Sequence, residues 1–511
     1  MYKKLLSIFI CMGLAASLFA GCAGQPSEAN LKLYQEGMAY TETEKGTPAP
    51  VYARSYEFLG GEDVMPIGGF YAPYASGGSR DGNDAANFLS DDIFQKISEC
   101  GVNMMFFSVD RWTEGEANNS LVDTINLCEK YGIGYFIDSF YVLNQLGTRT
   151  EDYPLENMPL ATEEGKLRLA AMIDDMTDGG TKKSVLGILG TDEPFTSQMD
   201  NLSVLHDAFY GLDNTEGMDI YINAIGYWAG VNTLYGYSDP IAYDQYILQY
   251  FEQVQPAMLS VTQYPFNEKQ TPVERVVELL FDRLSVYRKY ANQYEVPFWR
   301  MLQAGGQWND LAQWIDSVEP YPSEGEMLLD VNASLAYGAK AIQYFPLIQP
   351  LHFSYQTGGT YDYQNRNGLI GADGNLTRWY YYAKRANEQI KAIDEYLMHA
   401  ANMAVIIHGD RAVEDIVTNG LPGTEVTTRG KFRQLTSVAG GDCIVGCFDY
   451  YGGTALYVVN YSTTECTDVT LTFDREDYRY RVIQRAVSCD VVGGEIPLTL
   501  DAGEGALIVL S

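Results

Sequence analysis

The chain has 511 residues, too many for one hydrophobic core, so two domains are the expectation. With 46% hydrophobic and 20% charged residues it is globular and not disordered. A formal net charge of -33 argues against nucleic acid, because phosphate binding needs a basic surface, and suits a neutral ligand.

Met1, Lys3 and Lys4 form a basic start, and residues 5–19 are an apolar run too short for a comfortable membrane span. The L-F-A-G-C that follows (18–22) resembles a bacterial lipobox, with Phe19 where Leu is usual. The resemblance implies a signal peptide over 1–22, a lipid on Cys22 and a chain held at the bacterial cell membrane, outside the cytoplasm. Residues 23–55 are polar, lack apolar periodicity and read as a flexible tether.

Beyond the tether, apolar runs alternate with amphipathic stretches. Strands are expected near Met65, Asn103, Gly134, Ser184, Asp219, Met258, Val296 and Ala341. Helical patterns cover 91–100, 121–131, 163–176, 202–212, 273–290 and 326–337, and a long helix is expected over 377–399. Glycine after a helix and then an apolar run is the expected helix-to-strand signal, as at Gly101 and Gly132. Eight such units imply a (β/α)8 TIM barrel, placed at 56–400. From Met403 the pattern changes to short alternating runs split by turn residues, which predicts an all-β sandwich at 401–511.

No cysteine pair has zinc spacing, and His206, His352, His399 and His408 are the only histidines. No metal or cofactor is therefore expected. Whether Cys443, Cys447, Cys466 and Cys489 pair is open at this level.

The stretch S-V-L-G-I-L-G-T-D-E-P (184–194) is the most informative. It starts as a buried parallel strand and ends in Asp192 and Glu193. Two adjacent carboxylates at a buried strand end lose hydration unless they have partners or work. In a parallel barrel that end carries the chemistry. A solvated acidic turn before a helix is the alternative for an isolated D-E-P.

The lipobox, the barrel with D-E-P after strand four, S-L-A-Y-G-A-K-A-I-Q-Y-F (334–345), N-G-L-I-G-A-D-G-N-L-T-R-W-Y (367–380) and the closing A-G-E-G-A-L-I-V-L resemble the β-galactosidase-like and cellulase-like glycoside hydrolases. That resemblance implies two catalytic carboxylates, on strands four and seven. Glu193 matches the strand-four acid/base, with Asp192 where Asn is usual. On strand seven the sequence departs, with Gln303 where Glu would stand. Glu326 and Asp138 are the candidates for the second carboxylate, beside Asp192; Glu326 also reads as a helix N-terminal carboxylate favoured by the dipole. Retention needs the two carboxyls about 5 Å apart and inversion about 6.5–9.5 Å. Adjacent Asp-Glu also resembles substrate-assisted hexosaminidases, where Asp orients a 2-acetamido group.

Tyr71, Asp110, Asn223, Tyr227, Trp228, Gln263, Tyr264, Gln303, Trp308, Tyr344 and His352 fall at strand ends or loops and are candidate sugar contacts. The expected partner is an oligo- or polysaccharide, since sugar C–H faces pack on aromatic planes and the chain has 39 Tyr, 21 Phe and 6 Trp. Two functions follow: a cell-surface glycoside hydrolase, or a non-catalytic glycan-binding lipoprotein on a degenerate barrel. The intact Asp192-Glu193 pair favours the first and Gln303 the second. A two-lobed transport binding protein does not fit eight βα units.

Overall fold

The computed structural model describes residues 47–74, 88–106, 119–137, 146–147, 155–226, 242–266, 276–305, 322–349, 352–355, 359–362, 368–371, 374–409, 425–427 and 430–510. The leader, Cys22 and most of the tether lie outside them.

Eight parallel strands close into a barrel. They are β1 (Ile67–Phe70), β2 (Met104–Phe106), β3 (Gly134–Ile137), β4 (Val185–Asp192), β5 (Asp219–Ala224), β6 (Leu259–Thr262), β7 (Phe298–Gln303) and β8 (Ala341–Phe345). All eight lie on the apolar runs named above. The outer helices are α1 (Asp91–Cys100), α2 (Asn119–Tyr131), α3 (Glu163–Thr177), α4 (Met199–Tyr210), α5 (Ala242–Gln249), α6 (Asp282–Gln293), α7 (Glu324–Ala336) and α8 (Arg378–Ile390). In α1 the Ser90 hydroxyl accepts the Ile93 N–H, Ile93, Phe94, Ile97 and Cys100 are buried, and left-handed Gly101 ends the helix. Helix α5 was not read from the sequence.

The long helix expected over 377–399 is broken in two, α8 and α9 (Asp394–Met398). Ile393 leaves helical geometry at φ -130°. The Asp394 carboxylate then accepts the N–H groups of Glu395 (3.0 Å) and Met65 (3.4 Å). A carboxylate buried among apolar groups needs such donors, and reaching them ends the helix.

The bore is packed, not open. Tyr56, Phe106, Phe136, Leu189, Tyr221, Trp299 and Met301 fill it, and the Phe106 and Tyr221 rings lie 4.2 Å apart. Tyr56 plugs the bottom: its hydroxyl donates to Asp219 (2.7 Å), the first residue of β5, which also pairs with Arg54 (2.5 Å). Gly187 has φ +150°, and a Cβ there would lie 1.8 Å from the Asp219 carbonyl oxygen. Only glycine lets β4 and β5 approach so closely.

After β8 come a hairpin, β9 (His352–Tyr355) and β10 (Gly359–Asp362), and then two sheets. The strands are β11 (Ala400–His408), β12 (Glu425–Thr427), β13 (Leu435–Gly440), β14 (Cys443–Tyr450), β15 (Gly453–Asn460), β16 (Thr467–Phe473), β17 (Arg479–Gln484), β18 (Val487–Val492), β19 (Glu495–Leu500) and β20 (Gly505–Leu510). Seven form one sheet in the order β12-β11-β14-β15-β20-β17-β18, and β13-β16-β19 form the other. Alternation gives the large sheet two apolar faces. Val445, Leu456, Val458 and Ile508 meet Leu471 and Leu498 of the small sheet. Ile444, Tyr457, Val459 and Leu507 join the core of the barrel's outer layer. Asn332 of α7 locks this seam, accepting from the Tyr457 hydroxyl (2.7 Å) and donating to the Gly503 carbonyl (2.8 Å). The six cysteines among the described residues are all free thiols.

Candidate active site

Strand β4 changes phase just before its end. Leu189 pairs with Tyr221, but the next pairs are Thr191 with Ile222 and Asp192 with Asn223, so Gly190 is an extra residue. Without this bulge Thr191 would follow Leu189 into the bore. With it, Asp192 does, and such bulges re-aim side chains next to active sites. Glu193 follows in the left-handed region, at φ 48°, as Tyr71 does after β1, at φ 67°. For a residue with a Cβ this costs roughly 1–2 kcal/mol, and such strain collects at functional sites.

The backbone beyond is pinned. The Glu193 N–H donates to the Asn223 carbonyl (2.7 Å). The Tyr246 hydroxyl of α5, fully buried, donates to the Pro194 carbonyl (3.0 Å) and accepts the Ile225 N–H (3.2 Å). The Gln198 side chain accepts the Phe195 N–H (2.8 Å).

Burial raises the Glu193 carboxyl from its ordinary value of 4.5 to about 8, and the neighbouring Asp192 charge adds to the rise. Glu193 is part-exposed to solvent while Asp192 is exposed. Among the described residues no Lys or Arg pairs with Glu193. At neutral pH it is therefore an accessible acid that holds its proton, with a second carboxyl group beside it, the state a proton donor needs.

Aromatic rings stand over the pair. The Tyr264 phenol is raised well above its ordinary range, first by burial and then by the charges of Glu193 and Asp192. Its ring stacks on Phe345 at 5.5 Å, and Phe345 lies 5.4 Å from Tyr71. All three are part-exposed, and Phe195, two residues after Glu193, is 38% exposed. Such faces suit the C–H face of a sugar ring.

No family model matches this sequence, and no curated protein matches it. Solved structures do show similarity of shape. A catalytic mutant of Gan42B, a GH42 β-galactosidase from G. stearothermophilus, is 9% identical with a TM-score of 0.48, covering 90% of this chain and 100% of that one. A glycoside hydrolase family 5 protein from Bacteroides vulgatus is 10% identical with a TM-score of 0.47, covering 88% and 89%. The β-galactosidase of the psychrophilic Marinomonas ef1 is 12% identical with a TM-score of 0.43, and the match spans 67% of this chain and 63% of that one. At 9–12% identity these similarities assign no activity and no residue to this chain.

Of the expected site residues, Asp192, Glu193, Tyr71 and Tyr264 come together at the mouth. Four expected sugar contacts are instead buried with protein partners. Asn223 lies inside the bore, bonded to Asp192, Thr262 and Ser260. Gln263 accepts from Tyr287 of α6 (3.2 Å) and Tyr344 donates to Asn387 of α8 (2.7 Å), so both face the helix layer. Gln303 donates to the Phe266 (2.6 Å) and Gly305 (3.0 Å) carbonyls and accepts the Phe266 N–H (3.2 Å). A carboxylate cannot donate to two carbonyls, so an amide at 303 is structurally required.

Glu326 completes a capping box on α7, where it accepts the Ser323 N–H (2.7 Å) and donates its own N–H to the Ser323 hydroxyl (3.2 Å). The adjacent Gly325 packs on the Thr463 carbonyl of the sandwich. The first turn of α7 therefore faces the second domain. Asp138, Asp110, Tyr227, Trp228 and Trp308 lie outside the described residues, as does the His352 side chain.

Phe345, Phe195 and Tyr246 were not picked out from the sequence. Strand alternation held the signal for the first: Gln343 faces the bore, so Phe345 does and Tyr344 does not.

Proposed function

We propose that this chain is a glycoside hydrolase in which Glu193 is the general acid that protonates the departing glycosidic oxygen. The observation that carries the reading is the raised Glu193 carboxyl, part-exposed beside charged Asp192 at the barrel mouth. A proton donor must hold its proton near neutral pH and release it in the transition state, which burial and a like charge arrange. Tyr264, Phe345, Tyr71 and Phe195 would stack a sugar ring of an oligo- or polysaccharide against this acid. With Gln303 committed to the backbone of residues 266 and 305, strand β7 offers no carboxylate at that position. The second carboxyl is assigned to Asp138, which follows β3 directly in the sequence, with Asp192 as the alternative acting through a substrate's 2-acetamido group. The lipobox-like start places the enzyme, in this reading, on the outer side of the bacterial cell membrane, lipid-anchored through Cys22 with the tether as spacer.

The test is hydrolysis of a broad panel of glycans and aryl glycosides by wild type, Glu193→Gln and Asp138→Asn. Cleavage lost in Glu193→Gln with folding intact is the expected result. Cleavage that survives removes the acid assignment. The commitment of Gln303 also favours a second reading, a glycan-binding module without turnover. Measurable glycan binding with no cleavage of any substrate supports that one.

A further inference from the structure

A column of polar groups climbs the bore to Asp192. The Tyr221 hydroxyl donates to Gln343 Oε1 (2.5 Å) and lies 3.0 Å from the Ser260 hydroxyl. Ser260 donates to Asn223 Oδ1 (3.1 Å). With its oxygen so occupied, Asn223 turns its amide nitrogen to Asp192 Oδ1 (2.9 Å) and Thr262 Oγ1 (2.6 Å). Every side chain of this column below Asp192 is buried. Nothing in the packing of a barrel demands polar groups in the bore. Each one displaces an apolar side chain and must be satisfied. Here the hydrogen-bonded chain, in which only Gln343 Nε2 lacks a partner, ends on the carboxylate beside the acid.

We propose that Asn223 is a positioning residue: held by Ser260, it fixes Asp192 and favours its charged form, widening the gap by which Glu193, and not Asp192, holds the proton. This rests on the reading of Glu193 as the acid and adds what sets its partner. Two neighbouring carboxyls share a proton unless something distinguishes them. The Asn223 N–H favours a charged Asp192, whereas Glu193 donates its backbone N–H and has burial acting on its carboxyl. Among the described residues, the other ionisable groups facing the pair are Tyr221 of β5 and Tyr264 after β6, with Tyr71 after β1 and Arg300 of β7 acting on Tyr264. Both tyrosines are raised by Asp192, first by burial, and stay neutral. Arg300 is occupied by Asp330 (3.2 Å) and the Gln263 carbonyl (2.6 Å).

Carbon-13 titration of the carboxyl groups in the full chain tests this without a substrate, the two signals being assigned by their loss in Asp192→Asn and Glu193→Gln. In Asn223→Ala, Asp192 should titrate about one pH unit or more higher, since the lost hydrogen bond favours the charged carboxylate. The Glu193 midpoint should stay, because Glu193 still releases its proton beside a charged Asp192. An Asp192 midpoint that does not move overturns the proposal. If Asn223→Ala does not fold, Ser260→Ala, which frees Asn223 Oδ1, carries the test: the Asp192 midpoint should again rise, and an unmoved midpoint overturns the proposal. Both shifts in a chain that cleaves no glycan would sink the hydrolase reading and leave the role of Asn223 standing. Where Asp192 serves as the second carboxyl of an active enzyme, Asn223→Ala should raise the acidic limb of kcat/KM and leave the basic limb in place; a merely structural role would lower activity with both limbs unmoved.

Discussion

Replacing Glu193 by Gln should stabilise the fold while removing the proposed acid. The amide keeps the shape and the left-handed backbone and removes the ionisation. Glu193 holds its proton more tightly folded than unfolded, since its value rises from 4.5 to about 8. Its contribution to stability is therefore fully present below 4.5 and lost as pH rises through about 8. At about 1.4 kcal/mol per pH unit the full interval is worth about 5 kcal/mol. Glu193 keeps part of its surface in water, which reduces the effect to roughly 1–3 kcal/mol. Urea unfolding of wild type and Glu193→Gln at half-unit steps from pH 4.5 to 8.5 reads this directly. The two curves should lie close at the acid end and separate as pH rises, with Glu193→Gln the more stable. Parallel curves would refute the burial argument and with it the claim that Glu193 is protonated at neutral pH.

In an active enzyme, kcat/KM should fall through a basic limb near pH 8 as Glu193 loses its proton, and a pH–rate profile checks it. Tyr264→Ala and Phe345→Ala each remove a stacking face worth about 1 kcal/mol; the expected outcome is a several-fold rise in KM or in the Kd of an unreactive glycan, with kcat less affected. Gln303→Glu sets a carboxylate against the Phe266 and Gly305 carbonyls and should cost about 2–4 kcal/mol in urea unfolding without creating a nucleophile. Tyr246→Phe frees the Pro194 carbonyl and the Ile225 N–H; a loss of about 1–2 kcal/mol of stability with kcat reduced more than KM would show that it pins the acid.

The barrel was legible because its cause is local. Each strand is a short apolar run, and caps such as Ser90 and Gly101 mark the helix ends. The break before Asp394 was not, because its cause is a hydrogen bond to Met65, 329 residues away in sequence. Glu193 could be placed at the barrel mouth because D-E-P ends the apolar run that becomes β4. The bulge at Gly190, which decides that Asp192 enters the bore, depends on pairing with β5 and leaves only a glycine in the sequence. Gln303 read as a missing nucleophile because its type was visible and its partners, Phe266 and Gly305, were not. Tyr344 and Phe345 show a simpler miss, since period-two alternation from Gln343 separates the helix-facing residue from the mouth-facing one.

The most direct test of Glu193 as the acid compares leaving groups. A dinitrophenyl glycoside departs without a proton, whereas an alkyl glycoside needs one. For Glu193→Gln the expected result is a loss of about 100- to 10,000-fold in kcat/KM on the alkyl glycoside and close to wild-type cleavage of the dinitrophenyl glycoside. Equal losses on both, or no loss on either, would contradict it.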